Sequence, residues 1–127
     1  MRSEAPQEEL RAGVLDVVPS TYTARANGHV IALTPREFDL LVVLMERPDR
    51  VLPRELLFEL CWGHEMAPAD RGVDVYVRKL RAKLEQALPD WRFIHTHYRL
   101  GYRFSPNPVT APDSAAETVN NDTRSVL

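Results

Sequence analysis

The side chains best suited to bind a ligand lie between Asp70 and Leu88. Asp70 is expected to cap the first turn of a helix, and Pro89 stops that helix. Apolar side chains recur there at helical spacing and form one stripe that suits a hydrophobic core: Val73, Val77, Leu80 and Leu84. The segment is therefore predicted to be an amphipathic helix over 70–88.

The face opposite this stripe is basic and includes one valine, which we expect to be exposed. Guanidinium groups bind guanine edges and phosphates, and a valine methyl group can contact a thymine methyl. The face therefore suits a reader of the DNA major groove, although a solvated charged face has the same pattern. The candidate binding residues are Arg71, Val75, Arg78, Lys79 and Arg81.

Length and composition indicate one domain. The 127 residues are 44% hydrophobic, enough for a single core. We find no apolar run that could span a membrane and no secretion signal, so we expect a cytoplasmic protein without a membrane partner. The single cysteine, Cys61, cannot form an internal disulfide.

The charge distribution favours an anionic partner, although the net charge is −2. Between residues 71 and 103, eight basic residues stand against three acidic ones, a local balance of +5 that leaves −7 on the remaining residues. Such asymmetry predicts a molecule with one basic face and an acidic back.

The residues before the basic helix predict a small antiparallel sheet and two helices. Asn27-Gly28 lies between two β-prone runs and is a strong hairpin signal. Thr34, Pro35 and Glu37 form a capping-box pattern at the start of the first helix. Two sets of side chains are expected in the core: Phe38, Leu41, Val42 and Met45 of that helix, and Leu56, Leu57, Leu60 and Cys61 of a second helix that begins at Pro53.

The remaining segments are a loop, a hairpin and two tails. The loop runs from Trp62 to Asp70, and the hairpin occupies 91–104 with its tip at Tyr98 to Gly101. We predict a disordered tail or linker over 1–12, a folded domain over 13–105 and a disordered C-terminal tail over 106–127.

This order of elements is typical of an α+β winged helix-turn-helix fold, with an N-terminal antiparallel sheet, three helices and a C-terminal β-hairpin wing. The sequence resembles the DNA-binding effector domain of OmpR/PhoB response regulators. Three stretches carry the resemblance, namely residues 33–63, the segment Asp70 to Glu85, and Gly-Tyr-Arg-Phe over 101–104. Together they cover most of residues 13–105.

The resemblance implies a regulator of transcription from a two-component system that binds double-stranded DNA, as a tandem dimer on repeated half-sites. The helix over 70–88 would enter the major groove, and the wing over 94–104 would touch the minor groove or the backbone. The family's DNA contacts fall on Arg71, Tyr76, Arg78, Lys79, Arg81 and Thr96. The loop that meets RNA polymerase in some members corresponds to 62–69, with Trp62, His64, Glu65 and Met66 as candidates.

The wing departs from the family pattern T-V-R-G-x-G-Y. This chain has Thr96-His97-Tyr98-Arg99-Leu100-Gly101-Tyr102, in which the arginine comes one place late and one glycine is replaced. Either Tyr98 or Arg99 would therefore take over the contact that the family makes with its wing arginine.

Two other functions remain open from the sequence, and no metal site is expected. A non-specific architectural DNA binder and a protein-interaction module would share the same elements. A metal site would need Cys61 and His64 to lie close to His95 and His97, and nothing in the sequence brings these pairs together. We find no catalytic motif, and we expect neither enzyme activity nor a cofactor.

Overall fold

The computed structural model describes residues 9–68 and 70–109. It has two antiparallel sheets and three helices, and a single 3-10 turn over Pro19–Thr21 joins the second and third strands. This arrangement confirms the predicted α+β winged helix-turn-helix fold. In chain order the elements are β1 (Leu10–Ala12), β2 (Leu15–Val18), β3 (Thr23–Ala26), β4 (His29–Val30), α1 (Pro35–Met45), β5 (Val51–Leu52), α2 (Arg54–Trp62), α3 (Gly72–Ala87), β6 (Trp91–His97) and β7 (Gly101–Pro108).

The N-terminal sheet has the strand order β1-β2-β3-β4. Asn27 and Gly28 join β3 to β4 with positive φ angles of 52° and 82°, which confirms the predicted hairpin. The predicted domain boundary at residue 13 is wrong, because Leu10 pairs with Val17 and is part of the sheet. The N-terminal sheet thus includes β1, although its segment of the sequence shows no apolar periodicity.

The C-terminal sheet has the order β5-β7-β6. Strand β7 continues to Pro108, which lies opposite Trp91, and the amide of Val109 donates to the carbonyl of Asp90 at 2.7 Å. The predicted boundary at residue 105 is therefore also wrong, since pairing with β6 extends the strand. The two predicted tails otherwise lie outside the described residues.

Helix α1 begins with the predicted capping box. The Glu37 amide donates to Thr34 Oγ1 at 3.3 Å, and the Thr34 amide donates to Glu37 Oε1 at 2.9 Å. In α2, however, Leu56 and Leu60 are 37% and 42% exposed, so their assignment to the core is wrong. The helix buries Leu57 and Phe58 instead, because only one face of this short element packs against α1 and α3.

Helix α3 begins at Gly72 and ends at Ala87, slightly shorter than predicted. Asp70 does not directly precede the helix; its Oδ1 accepts a hydrogen bond from the Gly72 amide at 2.7 Å and thereby shapes the entry. The predicted apolar stripe is confirmed, because Val73, Val77, Leu80 and Leu84 are all buried. Within the described part of the chain, no helix is both long and apolar enough to cross a membrane.

A buried ion pair, which the sequence did not indicate, joins α1 to α3. Glu37 is 2% exposed, and its Oε1 accepts a hydrogen bond from Lys83 Nζ at 2.7 Å. Burial alone would raise the pKa of Glu37, but the hydrogen bonds from Lys83 and Thr34 outweigh it and lower the pKa. This pair helps fix the rotation of α3 about its own axis.

Candidate nucleic-acid interface

The face of α3 that points away from the core carries the first group of candidate residues. Arg78 and Ala82 are exposed on it, and Arg71 is exposed directly before the first residue of the helix. Val75 is half-buried, so the expectation of an exposed valine is wrong. Arg71, Arg78 and Lys79 lie at helical spacing from Val75, and the stems of such long side chains can cover a short β-branched one. Ala82 adds a methyl group to this outward face.

One flank of α3 is bonded to the wing. Arg81 Nη2 donates to Thr96 Oγ1 at 2.7 Å, and the Arg81 guanidinium lies 6.0 Å from the ring centroid of Tyr102. Two turns earlier in α3, the Tyr102 hydroxyl donates to Asp74 Oδ1 at 2.6 Å. Two of the predicted DNA contacts, Arg81 and Thr96, are therefore partners of each other.

The hydroxyl of Tyr102 is held in its protonated form. Burial and the hydrogen bond to Asp74 raise the pKa of Tyr102 to about 12. The carboxylate of Asp74 also lies 3.3 Å from Arg54 Nε at the start of α2. Asp74 thus links the wing, the basic helix and α2.

The other flank of α3 packs against an aromatic cluster. Tyr76 meets Trp62 edge to face with ring centroids 5.7 Å apart, and Lys79 Nζ lies 5.3 Å from the Tyr76 centroid. Trp62 in turn stacks on Phe58 at 4.7 Å. The Arg36 guanidinium lies over the Trp62 ring, 4.6 Å from its centroid, and donates a hydrogen bond to the Cys61 carbonyl.

The four candidate residues of the predicted partner loop differ in their exposure to solvent. Trp62 and Met66 are half-buried and pack against the core, so they support the loop from inside. His64 and Glu65 are exposed, with the His64 ring edge against Phe58. Of the four candidates, only His64 and Glu65 are therefore exposed.

The wing tip extends from the body of the domain. The side chains of Tyr98 and Leu100 are 80% and 64% exposed, and the Leu100 amide closes the turn by donating to the His97 carbonyl at 2.8 Å. Arg99 has a φ of 67°, a left-handed conformation that favours glycine. Because glycine occupies this place in the family pattern, Tyr98 stands at the position of the family's wing arginine.

A basic cleft of about 520 Å³ separates the wing from the start of α3 and α2. The cleft is lined by three arginines and a histidine, namely Arg54, Arg71, Arg99 and His97. It is also lined by two carboxylates, those of Glu55 and Asp74. Guanidinium groups arranged around such a cleft can bind the phosphates of a nucleic-acid strand.

Two histidines of the hypothetical metal site, His95 and His97, instead form hydrogen bonds to residues of β7. His95 Nε2 lies 2.9 Å from the Ser105 carbonyl, and Arg103 Nε donates to His97 Nε2 at 3.0 Å. Burial lowers the pKa of His95. Among the residues that the structure describes, no three histidine, cysteine, aspartate or glutamate side chains are grouped closely enough to hold a metal ion.

Cys61 is expected to react slowly with thiol reagents. Burial raises the pKa of its thiol from 9.0 to about 11, which lowers the thiolate fraction at pH 7 about 100-fold. Alkylation of the native domain with iodoacetamide, followed by mass spectrometry, should be correspondingly slower than alkylation of the urea-unfolded chain. Equal rates in the two states would contradict the described burial of this thiol.

The two sheets, the three helices and the hairpin beside α3 define a winged helix-turn-helix domain. The family described as "Transcriptional regulatory protein, C terminal" matches residues 28–104. The chain belongs to this family, and the resemblance to OmpR/PhoB-type effector domains is confirmed.

Relatives and solved structures agree with this assignment. The chain is 36% identical over 103 residues to the DNA-binding response regulator MtrA of Mycobacterium leprae, covering 81% of this chain and 46% of the relative. It is 43% identical over 95 residues to the transcriptional regulatory protein PrrA of the same organism, covering 75% and 40%. The chain thus spans about half the length of these relatives.

Among solved structures, the DNA-binding domain of RstA from Klebsiella pneumoniae, in complex with the RstA box, is similar with a TM-score of 0.71. It is 28% identical in sequence, and the match covers 79% of this chain and 99% of that domain. Most of this chain therefore shares its fold with a domain that was solved on DNA.

Proposed function

We propose that this chain is a sequence-specific regulator of transcription that binds double-stranded DNA through α3 and the wing. One observation carries the proposal: α3 exposes Arg78 on its outward face and Arg71 is exposed directly before its first residue, while the other faces of the helix are fixed to the core, the wing and the aromatic cluster. A rigid helix with outward arginines suits the major groove. We assign the chain no catalytic role.

The candidate residues take different roles in this proposal. Arg71 and Arg78 read base edges or bind phosphates, and Val75 and Ala82 offer methyl contacts. Lys79 and Tyr76 lie on the flank and bind the phosphate backbone. Arg81 and Thr96, which are bonded to each other, hold the wing in place, while Tyr98 and Arg99 contact DNA from its tip.

The comparisons support this function and suggest its setting. MtrA is a DNA-binding response regulator, and the similar RstA domain was solved in complex with its box. We propose that this chain likewise acts on chromosomal DNA in the cytoplasm, as the effector part of a two-component regulator. Two copies would occupy tandem half-sites about one helical turn apart.

An additional contact with RNA polymerase is proposed for the loop after α2. The exposed residues His64 and Glu65 lie beside the exposed Leu56 and Leu60 of that helix in sequence, so the segment combines charged and apolar side chains. Such a mixture is typical of protein interfaces. The contact would be made while α3 remains on DNA.

Substitutions on α3 test the proposed function. On the duplex that the wild-type chain retains best from a random library, Arg78→Ala should weaken binding by about 1–3 kcal/mol and relax preference at one base pair. Lys79→Ala should weaken binding to all duplexes alike and lower the salt dependence. Fluorescence anisotropy at several salt concentrations measures both effects.

The matched control removes an arginine from another surface. Arg25 is exposed on β3 of the N-terminal sheet, and Arg25→Ala is expected to leave DNA affinity nearly unchanged. If Arg78→Ala and Arg25→Ala have equal effects on affinity and base preference, the outward face of α3 does not read DNA.

A further inference from the structure

We propose that the wing tip is an apolar wedge, with Leu100 inserted into the minor groove of the bound duplex, where it bends the DNA locally. The inference rests on the proposed function and specifies how its second contact works. Leu100 is not one of the residues selected from the sequence, and its exposure in the structure is the starting observation.

The fold itself gives no reason for leucine at this position. Leu100 is 64% exposed and Tyr98 is 80% exposed, at a turn where polar residues and glycine are usual. The turn is held by the hydrogen bond from the Leu100 amide to the His97 carbonyl and by the left-handed Arg99. Two apolar side chains are therefore presented outward by a defined backbone conformation.

The base of the wing is rigid enough to support a wedge. Gly101 approaches the backbone of β5 so closely that an added Cβ would lie 2.0 Å from the Leu52 carbonyl oxygen. The bonds from Arg81 to Thr96 and from Tyr102 to Asp74 join the wing to α3. These contacts hold the base of the wing against the helix proposed for the major groove.

The surroundings of the tip favour a polyanion over an apolar protein partner. Leu100 lines the cleft, in which three arginines outnumber the carboxylates of Glu55 and Asp74, and the Arg99 guanidinium lies 5.3 Å from the ring centroid of Tyr98. An apolar side chain flanked by cations suits the minor groove, because the cations bind the phosphates on its rims while the wedge enters between base steps.

The test compares Leu100→Ala with the wild-type chain on the duplex that the wild type retains best from a random library. We expect an affinity loss of about tenfold and a smaller bend, measured by energy transfer between dyes on the two DNA ends. The salt dependence of binding should stay unchanged, because no charge is removed. Arg99→Gln should instead reduce the salt slope by about 1.

Val30→Ala is the matched control, since Val30 is 69% exposed on β4 and should tolerate truncation without loss of binding. If Leu100→Ala binds and bends the duplex as the wild type does, the wedge is overturned while the proposed function stands. If the wild-type chain itself retains no duplex, the proposed function fails, and the wedge fails with it.

Discussion

Replacing Gly101 with alanine is expected to destabilise the domain by about 3 kcal/mol. Gly101 has a φ of 141°, which side chains rarely adopt. A Cβ there would also lie 2.0 Å from the Leu52 carbonyl oxygen and 3.0 Å from the Pro53 Cα, both of them backbone atoms. The substitution therefore combines backbone strain with a clash that requires the wing to separate from β5.

Urea denaturation followed by circular dichroism measures this loss. The control is Gly28→Ala in the β3–β4 hairpin, where φ is 82° but no atom among the described residues lies within 4 Å of the added Cβ. Only the conformational cost of about 1 kcal/mol is expected there. Equal losses for the two variants would show that the wing does not pack against β5 as described.

Truncation of Glu37 to alanine is expected to cost about 3 kcal/mol of unfolding free energy at pH 7. It removes the reciprocal half of the capping box and leaves Lys83 without its partner between α1 and α3. The value lies at the low end for buried pairs because the Lys83 side chain is 37% exposed and can be hydrated. Glu46→Ala, which removes only an exposed pair with Arg47, should cost less than about 0.5 kcal/mol.

The same pair gives the stability a defined pH dependence. Because the pKa of Glu37 is lowered in the folded state, its contribution is complete above the ordinary value of 4.5 and is lost as the pH falls through the lowered pKa. The wild type should therefore lose stability more steeply than Glu37→Ala below pH 4.5. Parallel curves for the two proteins would contradict the ion pair.

Local signals in the sequence were sufficient for the helices. Thr34 and Glu37 are three residues apart, and the apolar stripe of α3 extends over about three turns, so both patterns are complete within one element. In the shorter α2 the spacing of leucines did not define the buried face. Leu56 and Leu60 were consequently placed in the core although they are exposed.

Contacts between distant segments were not predictable. Lys83 lies 46 residues from Glu37, and its role as an ion-pair partner depends on how α3 packs on α1. Arg81 and Thr96 were both selected by the resemblance, but only the structure shows that they bond to each other. The left-handed conformation of Arg99 is indicated only by the glycine that the family pattern has at this place, because arginine itself does not favour it.

The most direct measurement is selection from a random duplex library on the purified chain at physiological salt, with an Arg71→Ala/Arg78→Ala variant in parallel. We expect the wild-type chain to enrich a tandem motif with half-sites about one helical turn apart, and the variant to lose that motif. Equal retention of all sequences, or the same motif enriched by both proteins, would contradict sequence reading by the outward face of α3.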